Sequence, residues 1–307
     1  MNVLIFGGTG FLGRNLTKEL ISNGYQVAVI TRNQKITANK VEGDVKLIEW
    51  DNSSSLSSAY DFKEFDVVIN FAGESIGNHR WTESVKQEIL NSRINTTRFI
   101  VNAINDGIIN PKVLINASAV GYYGSRQDDK ITENEGPGQD FLAGVCRKWE
   151  AEAYKVQNEL TRVVTIRTGI VLGSQGALTA MVIPFKFYVG GPLGKGNQWL
   201  PWIHIQDLIR MIRYIIEHDE VTGPVNGTAP EPVRMEGFIK ILGEVLKRPS
   251  WFPVPEFLLK IALGQMSEML LHGQRAIPQK ISDVGFEFKF PNLRSALVDA
   301  LGNRNVV

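Results

Sequence analysis

The sequence predicts an α/β protein organised around a doubly wound parallel sheet, with a smaller C-terminal α/β lobe. The first observation is an apolar run at residues 3–6 that breaks into a glycine cluster and continues as a helical pattern. The second is that short apolar strands alternate with helical stretches up to residue 175, as in a parallel sheet covered by helices. The third is the higher Pro and Gly density at 223–232 and 249–255. We therefore predict a main domain over residues 1–175 and a smaller lobe over 176–307, parts of which can return to the main sheet.

Each predicted element follows from a local pattern. Strands are predicted where aliphatic and β-branched residues run together, and helices where apolar residues recur every three or four positions. The predicted strands are 3–6, 25–30, 45–50, 66–73, 112–118 and 163–167. One helix is predicted directly after the glycine cluster, and others at 81–106, 141–160 and 207–217. The aromatic stretch 199–205 is predicted to be extended.

The composition is that of an ordinary globular protein with enough apolar residues for a large core. Of 307 residues, 43% are hydrophobic and 21% are charged, and the formal net charge is +1. A chain this close to neutrality has no general attraction for nucleic acid or an anionic membrane, so we expect neither as a partner. The single cysteine, Cys146, excludes an internal disulfide and favours a reducing compartment. With no signal-peptide pattern and no apolar run of ~20 residues, we expect a cytoplasmic location.

The glycine cluster after the first strand has the spacing of a nucleotide-binding loop. Gly7, Gly10 and Gly13 stand at GxxGxxG spacing, a variant of the dinucleotide fingerprint. The first glycine permits the turn, the second lets a pyrophosphate approach the backbone, and the third lets helix and strand pack closely. The N–H groups of the helix start attract an anion, whereas the alternative interpretation is a purely structural turn. The residues predicted to bind a dinucleotide here are Gly7, Thr9, Gly10, Phe11, Leu12 and Gly13.

The end of the second strand predicts which dinucleotide is bound. An acidic residue at this point would accept a hydrogen bond from a ribose 2′-hydroxyl, whereas an arginine would pair with a 2′-phosphate. No acid lies between Tyr25 and Val41, and Arg32 follows the strand with Lys35 close behind it. We therefore predict NADP(H) rather than NAD(H), with Arg32 on the 2′-phosphate. The alternative is a solvated basic loop.

Three more strand ends are predicted to border the cofactor, because open α/β sheets bind ligands at the carboxyl ends of their strands. Asp51 follows the third strand and is predicted near the adenine amine, although an Asx turn explains it almost as well. Asn70, Ala72 and Gly73 end the fourth strand, where small residues let the backbone approach a ligand. Ser118 ends the fifth strand and is predicted to lie near the nicotinamide.

Several motifs together resemble one enzyme superfamily. The glycine loop and residues 70–73, 118–124 and 167–173 resemble those of the extended short-chain dehydrogenase/reductases, which include nucleotide-sugar epimerases and dehydratases. Ser-Ala-x-Gly-Tyr-Tyr-Gly, Cys-x-x-Trp-Glu and Pro-Trp-Ile-His, at 118–124, 146–150 and 201–204, are similar to signatures of an atypical branch called the epimerase family. Residues 271–275 and 285–288 are similar to the C-terminal segment of that branch. The resemblance spans essentially the whole chain and implies a Rossmann-type fold.

The same resemblance implies a catalytic set that this sequence lacks. Enzymes of the superfamily use a Tyr, a Lys four residues later, a Ser or Thr that orients the substrate oxygen, and an Asn. The Lys matters because a phenol with a pKa of about 10 needs a neighbouring cation to act near neutral pH. The matching positions here hold Leu142, Cys146, Ala119 and Arg93. The usual mechanism of the superfamily therefore does not carry over.

Three hydroxyl side chains remain as candidate catalytic residues. Ser118 lies beside the vacated serine position and either orients a carbonyl oxygen or satisfies a backbone group. Tyr122 and Tyr123 are candidate proton donors or aromatic packing residues; successive side chains of an extended turn point opposite ways, so at most one should reach the cleft. We interpret Cys146 as inert and buried, and His204 as a structural anchor rather than a base. No metal site is expected, because the four histidines are scattered along the chain.

The sequence therefore favours an NADP(H)-binding oxidoreductase or epimerase-like protein without the usual Ser-Tyr-Lys set. Its expected partner is a small-molecule substrate, which would be a small carbonyl, an alcohol or a nucleotide sugar, because the cofactor itself supplies hydride chemistry. The alternative hypothesis is a catalytically inactive protein that senses NADP(H) or regulates another process. The superfamily resemblance adds a homodimer as an expectation, by analogy alone.

Overall fold

The candidate site is built on the carboxyl edge of one parallel sheet. The computed structural model describes residues 1–38, 41–50 and 61–302. The strands are β1 (Asn2–Phe6), β2 (Gln26–Thr31), β3 (Val45–Glu49), β4 (Val67–Asn70), β5 (Val113–Ala119), β6 (Lys130–Ile131), β7 (Arg162–Thr168), β8 (Ile170–Leu172), β9 (Trp199–Leu200), β10 (Trp202–His204), β11 (Gly223–Gly227), β12 (Val233–Arg234) and β13 (Arg275–Ala276). The α-helices are α1 (Phe11–Ser22), α2 (Gln34–Ala38), α3 (Glu83–Asn105), α4 (Phe141–Ala153), α5 (Ala177–Lys186), α6 (Ile205–Glu217), α7 (Met235–Leu246), α8 (Glu256–Leu263), α9 (Glu268–Leu271), α10 (Gln279–Asp283) and α11 (Leu293–Gly302).

The central sheet confirms the predicted doubly wound architecture. Among the described residues, seven strands run in the order β11-β7-β5-β4-β1-β2-β3, and every neighbouring pair is parallel. The chain winds from β1 outward to β2 and β3, then starts again on the other side of β1 with β4 and β5. Open α/β sheets bind ligands outside the carboxyl ends of their strands, at the point where the strand order reverses. In this chain that point lies between β1 and β4.

Helices cover both faces of the sheet, as strand alternation requires. Val3 and Ile5 of β1 point into the core that α1 and α6 share with the sheet. Leu4 and Phe6, the intervening residues, point to the opposite face and into the core beneath α3. Because both faces are buried, the strand is a continuous apolar run rather than an alternating one. This is why residues 3–6 carry so clear a strand signal.

The C-terminal third forms a further core and also contributes to the main sheet. The core surrounds Trp202 and Phe238 and is closed by α5, α7 and α11. However, β11 pairs in parallel with β7, so this part of the chain does return to the main sheet. The division into two domains at residue 175 stays a prediction. Over residues 1–38, 41–50 and 61–302, no helix is both long and apolar enough to cross a membrane.

One predicted helix is shorter than its sequence pattern indicated. The helix predicted over 141–160 ends at Ala153. The side chain of Asn158 accepts a hydrogen bond of 3.0 Å from the backbone N–H of Leu160, and its carbonyl accepts one from Thr161. This Asx turn satisfies backbone groups locally and competes with continuation of the helix.

Candidate functional site

The loop between β1 and α1 is packed so tightly that Gly7 and Gly13 have no room for side chains. A Cβ on Gly7 would lie 2.7 Å from the carbonyl carbon of Phe71 at the end of β4, and Gly7 has a φ of +78°. A Cβ on Gly13 would lie 2.5 Å from Gly7 O and from Gly8 Cα. By contrast, a Cβ on Gly10 would meet only Gly7 O, at 3.4 Å. Gly10 therefore leaves open space above the loop, which is where a pyrophosphate would need to approach.

Helix α1 begins at this loop without a side-chain cap. Its N-cap is Gly10, which has no side chain to accept from the first N–H groups, and the first turn contains no acidic residue. The first N–H groups of any α-helix lack partners within the helix. Together with the helix dipole, these N–H groups favour an anion at this position.

The other predicted residues of this loop lie around the same opening. Phe11, Leu12 and Thr9 are all partly exposed. A Cβ on Gly173 would lie 2.7 Å from the ring of Phe11, so the segment after β8 packs directly on the start of α1. Arg14 ties the two together, because its guanidinium donates to Thr9 O and to Gln175 Oε1, at 3.2 and 2.8 Å.

The exit of β4 is held open by a buried amide network. Asn70 has no exposed surface; its Nδ2 donates to Asn116 Oδ1 (2.7 Å) and Thr97 Oγ1 (3.0 Å), and its Oδ1 accepts from the N–H of Ala72. Its side chain is therefore fully used inside the protein and positions the chain rather than contacting a ligand. Ala72 is partly exposed and Gly73 is exposed, so the backbone of these two residues remains available at the crevice.

Arg32 lies at the carboxyl end of β2, as predicted, and its side chain is exposed. Within the part of the chain that the structure describes, no hydrogen bond or ion pair fixes its guanidinium. Lys35 follows on α2 and is also exposed. This arrangement suits a 2′-phosphate and equally a solvated surface, so the geometry alone leaves both interpretations open. Asp51, the residue predicted near the adenine, lies outside the described residues.

Ser118 belongs to a buried ionic network. The network occupies a row across three neighbouring strands, since Arg167 of β7 pairs in register with Ser118 of β5 and with Asn226 of β11. Ser118 Oγ donates to Glu150 Oε1 at 2.6 Å, and Arg167 binds both Glu150 oxygens at 2.9 and 2.8 Å. The side chains of Arg167 and Glu150 are only 4% and 5% exposed. The hydroxyl of Ser118 is thus occupied by a structural carboxylate.

Tyr123 lies in the same network and is fully buried. Its hydroxyl donates to Asn226 Oδ1 at 2.6 Å and accepts from Arg167 Nη1 at 3.0 Å. Burial raises the pKa of Tyr123 to about 12, although the Arg167 charge opposes this. A proton donor in the cleft needs an accessible hydroxyl, so this environment favours the alternative interpretation of Tyr123 as a packing residue.

Tyr122 differs from its neighbour. It is partly exposed, and the guanidinium of Arg167 lies 3.5 Å from the centre of its ring. The extended turn predicted here is wrong, because residues 120–123 form a 3-10 helix; the two rings meet edge to face and both lie against Arg167. Among the three predicted hydroxyls, that of Tyr122 alone has no hydrogen-bond partner in the described ranges.

The residues predicted at the positions of the superfamily's catalytic set have the following surroundings. Cys146 lies inside, and burial, followed by the Glu150 charge, raises the pKa of its thiol to about 12, which fits the predicted inert role. Leu142 lies 3.5 Å from a Cβ placed on Gly121 and is partly exposed. Arg93 Nη1 donates to the backbone carbonyls of Glu74 and Ile89, both at 2.9 Å. An arginine therefore stands at the crevice where the superfamily has an asparagine.

His204 and Asp207 serve as anchors. His204 Nδ1 accepts from the N–H of Gln206 and so caps α6, and His204 is 1% exposed. Its Nε2 lies 3.2 Å from Asp299 Oδ2, but outside hydrogen-bonding geometry. Asp207 accepts from the backbone N–H groups of Lys289 and Phe290. The predicted structural interpretation of this pair fits these contacts.

Sequence reasoning missed the charges that build the network. Glu133 accepts from the N–H of Asn226 and of Lys280, and Glu150 binds Arg167. One signal was available, since Arg167 ends an apolar strand run and Glu150 follows a buried Trp149 on a helix. A charge on an apolar face indicates a buried partner, but not which one.

Comparison with known proteins agrees with this geometry. Residues 3–226 match the NAD dependent epimerase/dehydratase family, and residues 254–300 match a domain of unknown function, DUF1731. The chain is 42% identical to the epimerase family protein YfhF of Bacillus subtilis, with 100% of both chains covered. It is 41% identical to a chloroplastic epimerase family protein, an SDR39U1 homolog of Arabidopsis thaliana, over 97% of this chain and 86% of that protein. The crystal structure of human epimerase family protein SDR39U1 (isoform 2) with NADPH superposes with a TM-score of 0.89 at 34% identity, covering 99% of this chain and 100% of the human one.

Proposed function

Because the chain belongs to the NAD-dependent epimerase/dehydratase family, we propose that it is an NADP(H)-binding oxidoreductase or epimerase-like enzyme. Its substrate would be a small carbonyl, an alcohol or a nucleotide sugar. The observation that carries this proposal is the glycine loop, which abuts the β4 exit at the strand-order reversal and leaves space only above Gly10. When bound, the cofactor supplies hydride transfer, and the protein supplies its position and surroundings.

The preference for NADP(H) rests on two observations. Arg32 is exposed at the end of β2, where a 2′-phosphate would lie if the dinucleotide sits in the crevice. The human relative, which is similar over the full chain, was crystallised with NADPH. An arginine binds a phosphate through charge-assisted, bidentate hydrogen bonds, so it discriminates strongly between the two nucleotides.

Fluorescence titration with NADPH and NADH tests the cofactor. We expect NADPH to bind more tightly, and Arg32→Ser to weaken NADPH roughly 10- to 100-fold, the value of one or two charge-assisted hydrogen bonds, while NADH is unaffected. Arg147→Ser, which removes an exposed arginine from α4, is the matched control and should change neither affinity. Equal affinity of the wild-type protein for both nucleotides would overturn the assignment of Arg32.

The proton for a reduced carbonyl oxygen is proposed to come from Tyr122. Its hydroxyl is the one of the three candidates that lacks a partner in the described ranges, and the guanidinium of Arg167 holds its ring in place by stacking on it. In single-turnover assays with aldehydes, ketones and nucleotide sugars, Tyr122→Phe should slow NADPH oxidation about 100-fold or more, as expected for loss of a general acid. A wild-type rate in Tyr122→Phe would contradict this role.

A regulatory NADP(H) sensor is the second candidate function. It is favoured by the buried network, because Ser118 and Tyr123 are both committed to Glu150, Arg167 and Asn226 rather than to a cleft. NADPH binding without turnover of any substrate class would support the sensor and contradict the enzyme. The cytoplasmic location and the homodimer stay predictions, and a relative described as chloroplastic shows that family members differ in compartment.

A further inference from the structure

Arg93 is a partly buried cation without a matching anion. It lies on α3, and no carboxylate of residues 1–38, 41–50 or 61–302 comes within ion-pair distance of its guanidinium. Glu74 is an exposed residue whose carboxylate interacts with Arg93 only at longer range. Burial lowers the pKa of the Arg93 guanidinium, yet an arginine stays protonated in a protein.

The Arg93 side chain is held rigidly in one orientation. Nη1 donates to the carbonyls of Glu74 and Ile89, both at 2.9 Å. The guanidinium lies 5.1 Å from the ring of Trp149, which is itself fixed by a 2.9 Å bond from its Nε1 to Thr97. The two hydrogen bonds occupy Nη1 of the guanidinium. Among the described residues Nε and Nη2 have no hydrogen-bond partner, and both atoms are accessible to solvent.

The guanidinium of Arg93 lies against the exit of β4, at the border of the crevice. A Cβ on Gly73 would lie 3.2 Å from the Arg93 Cζ, so the guanidinium packs directly on the β4 exit. On the other side Arg93 lies near Cys146, which in turn contacts Ser118 and Ala119 at the end of β5. The carboxyl ends of β4 and β5 are neighbours in the sheet. Arg93 therefore stands beside the exit of β4 and near the end of β5, the strand end that is predicted to lie by the nicotinamide.

We propose that Arg93 anchors a carboxylate of the substrate, so that the substrate class is a small carbonyl or hydroxy compound that bears a carboxylate. This rests on the proposed function for the position of the cofactor. A planar guanidinium with one edge fixed presents its other edge to two oxygens of a carboxylate in bidentate geometry. Such a contact also neutralises a charge that no carboxylate of the described residues compensates. A phosphate of the cofactor offers the same oxyanion chemistry, so the test must separate these two sources.

Isothermal titration calorimetry with oxamate and oxamide provides the test. The two compounds have nearly the same shape, and only oxamate carries a carboxylate. With the NADPH-bound protein, we expect oxamate to bind at least about 10-fold more tightly than oxamide, and Arg93→Met to lose that difference, since a charge-assisted bidentate contact has this value. Glu74→Gln should strengthen oxamate binding, because it removes a competing negative charge from the same crevice.

The matched control is Arg98→Met, the same substitution five residues along α3, at an exposed arginine that pairs with Glu152. It should leave oxamate binding unchanged. If Arg93→Met fails to fold, Arg93→Lys takes its place in the test. This variant retains a charge but loses the planar fork, so it should bind oxamate with intermediate affinity. Equal binding of oxamate and oxamide, or no oxamate binding to the wild-type protein with or without NADPH, would overturn the proposal.

A separate titration with NADPH distinguishes the substrate from the cofactor. If Arg93 holds a cofactor phosphate, Arg93→Met will weaken NADPH as much as it weakens oxamate, which also overturns the proposal. If the wild-type protein binds oxamate through Arg93 but does not bind NADPH, the proposed cofactor function fails while the anion site stands. The two failures are therefore recognisable from the same set of titrations.

Discussion

The carboxyl ends of β1 and β4 differ from those of β5, β7 and β11 in what fills the space beyond the strands. Beyond β1 and β4 there is mostly backbone, because Gly7, Gly13 and Gly73 keep side chains out and Gly10 leaves the space above it open. Beyond β5, β7 and β11 there are charged and hydroxyl side chains, which bind one another. One half of the edge is open to a ligand, and the other half is closed by its own interactions.

This difference shows that polar residues at strand ends do not by themselves make a catalytic site. Ser118 and Tyr123 are hydroxyl residues at or just after the end of β5, yet both are buried and satisfied within the protein. The open groups near these strand ends are Tyr122 and the free edge of Arg93. Buried ion pairs of this kind are expensive to break but add little net stability, so they define a conformation rather than a reaction.

The largest effect is expected where the closed half is broken. Arg167→Met leaves Glu150 buried without a cation and should lower the free energy of unfolding by about 3–5 kcal/mol, measured by urea denaturation. Arg98→Met is the control, because Arg98 is 51% exposed and its partner Glu152 keeps Lys155 at 2.8 Å. That exposed pair should contribute about 0–1 kcal/mol. Equal losses in the two variants would mean that the network is not closed as described.

The open half should respond in ligand binding. Gly13→Ala places a methyl group 2.5 Å from backbone atoms of Gly7 and Gly8, so the loop must shift. Overpacking of this kind costs about 1–3 kcal/mol, which corresponds to a loss of NADPH affinity of roughly 5- to 100-fold. Gly237→Ala is closely matched, since each glycine is the third residue of a 12-residue helix and a Cβ on Gly237 meets nothing within 4 Å. Gly237→Ala should leave NADPH affinity unchanged. Binding of NADPH by Gly13→Ala as tightly as by the wild-type protein would contradict the glycine loop as the pyrophosphate site.

A smaller effect separates Tyr123 from Tyr122. Tyr123→Phe removes one buried hydroxyl from Arg167 and Asn226 and should reduce the free energy of unfolding by about 1–2 kcal/mol. Any NADPH-dependent turnover should stay within about twofold of the wild-type rate, because the variant keeps the ring of Tyr123 and therefore its edge-to-face contact with Tyr122. A large loss of turnover in a stably folded Tyr123→Phe protein would restore Tyr123 as a candidate catalytic residue.

The smallest expected effect is a pH dependence of the free energy of unfolding, and it comes from His204, which lies outside both halves of the sheet edge. Burial lowers the pKa of His204 from its usual 6.5, against the opposing charges of Asp299 and Asp207. Protons therefore bind the unfolded state more readily, so the stability from neutral His204 is complete above a pH of about 6.5 and is lost as the pH falls through the folded pKa. His204→Asn keeps an N-cap acceptor without a titrating ring, so its stability should fall less steeply between about pH 7.5 and pH 5. Parallel pH profiles of the two proteins would contradict the lowered pKa.

The sequence by itself determined the fold and predicted where a cofactor crevice should lie. Residues 3–13 specify strand, turn and helix through local features, namely a buried apolar run and glycines that the turn requires. Alternation of strands and helices then implies the parallel sheet and its carboxyl edge. The family resemblance, confirmed by the match over residues 3–226, agrees with the fold that these local patterns predict. Such features are readable because each depends on neighbours close along the chain.

Only the tertiary structure decided which polar groups are available for chemistry. Ser118 meets Glu150 over 32 positions of sequence, and Tyr123 meets Asn226 over 103. Nothing in the local sequence of Ser118 or Tyr123 indicates these partners, because they meet only when β5, β7 and β11 lie side by side. The same applies to Arg93, because only the folded structure shows that no carboxylate of the described residues pairs with it. Whether a charge is compensated depends on the whole fold, since burial and pairing are properties of the space around a side chain.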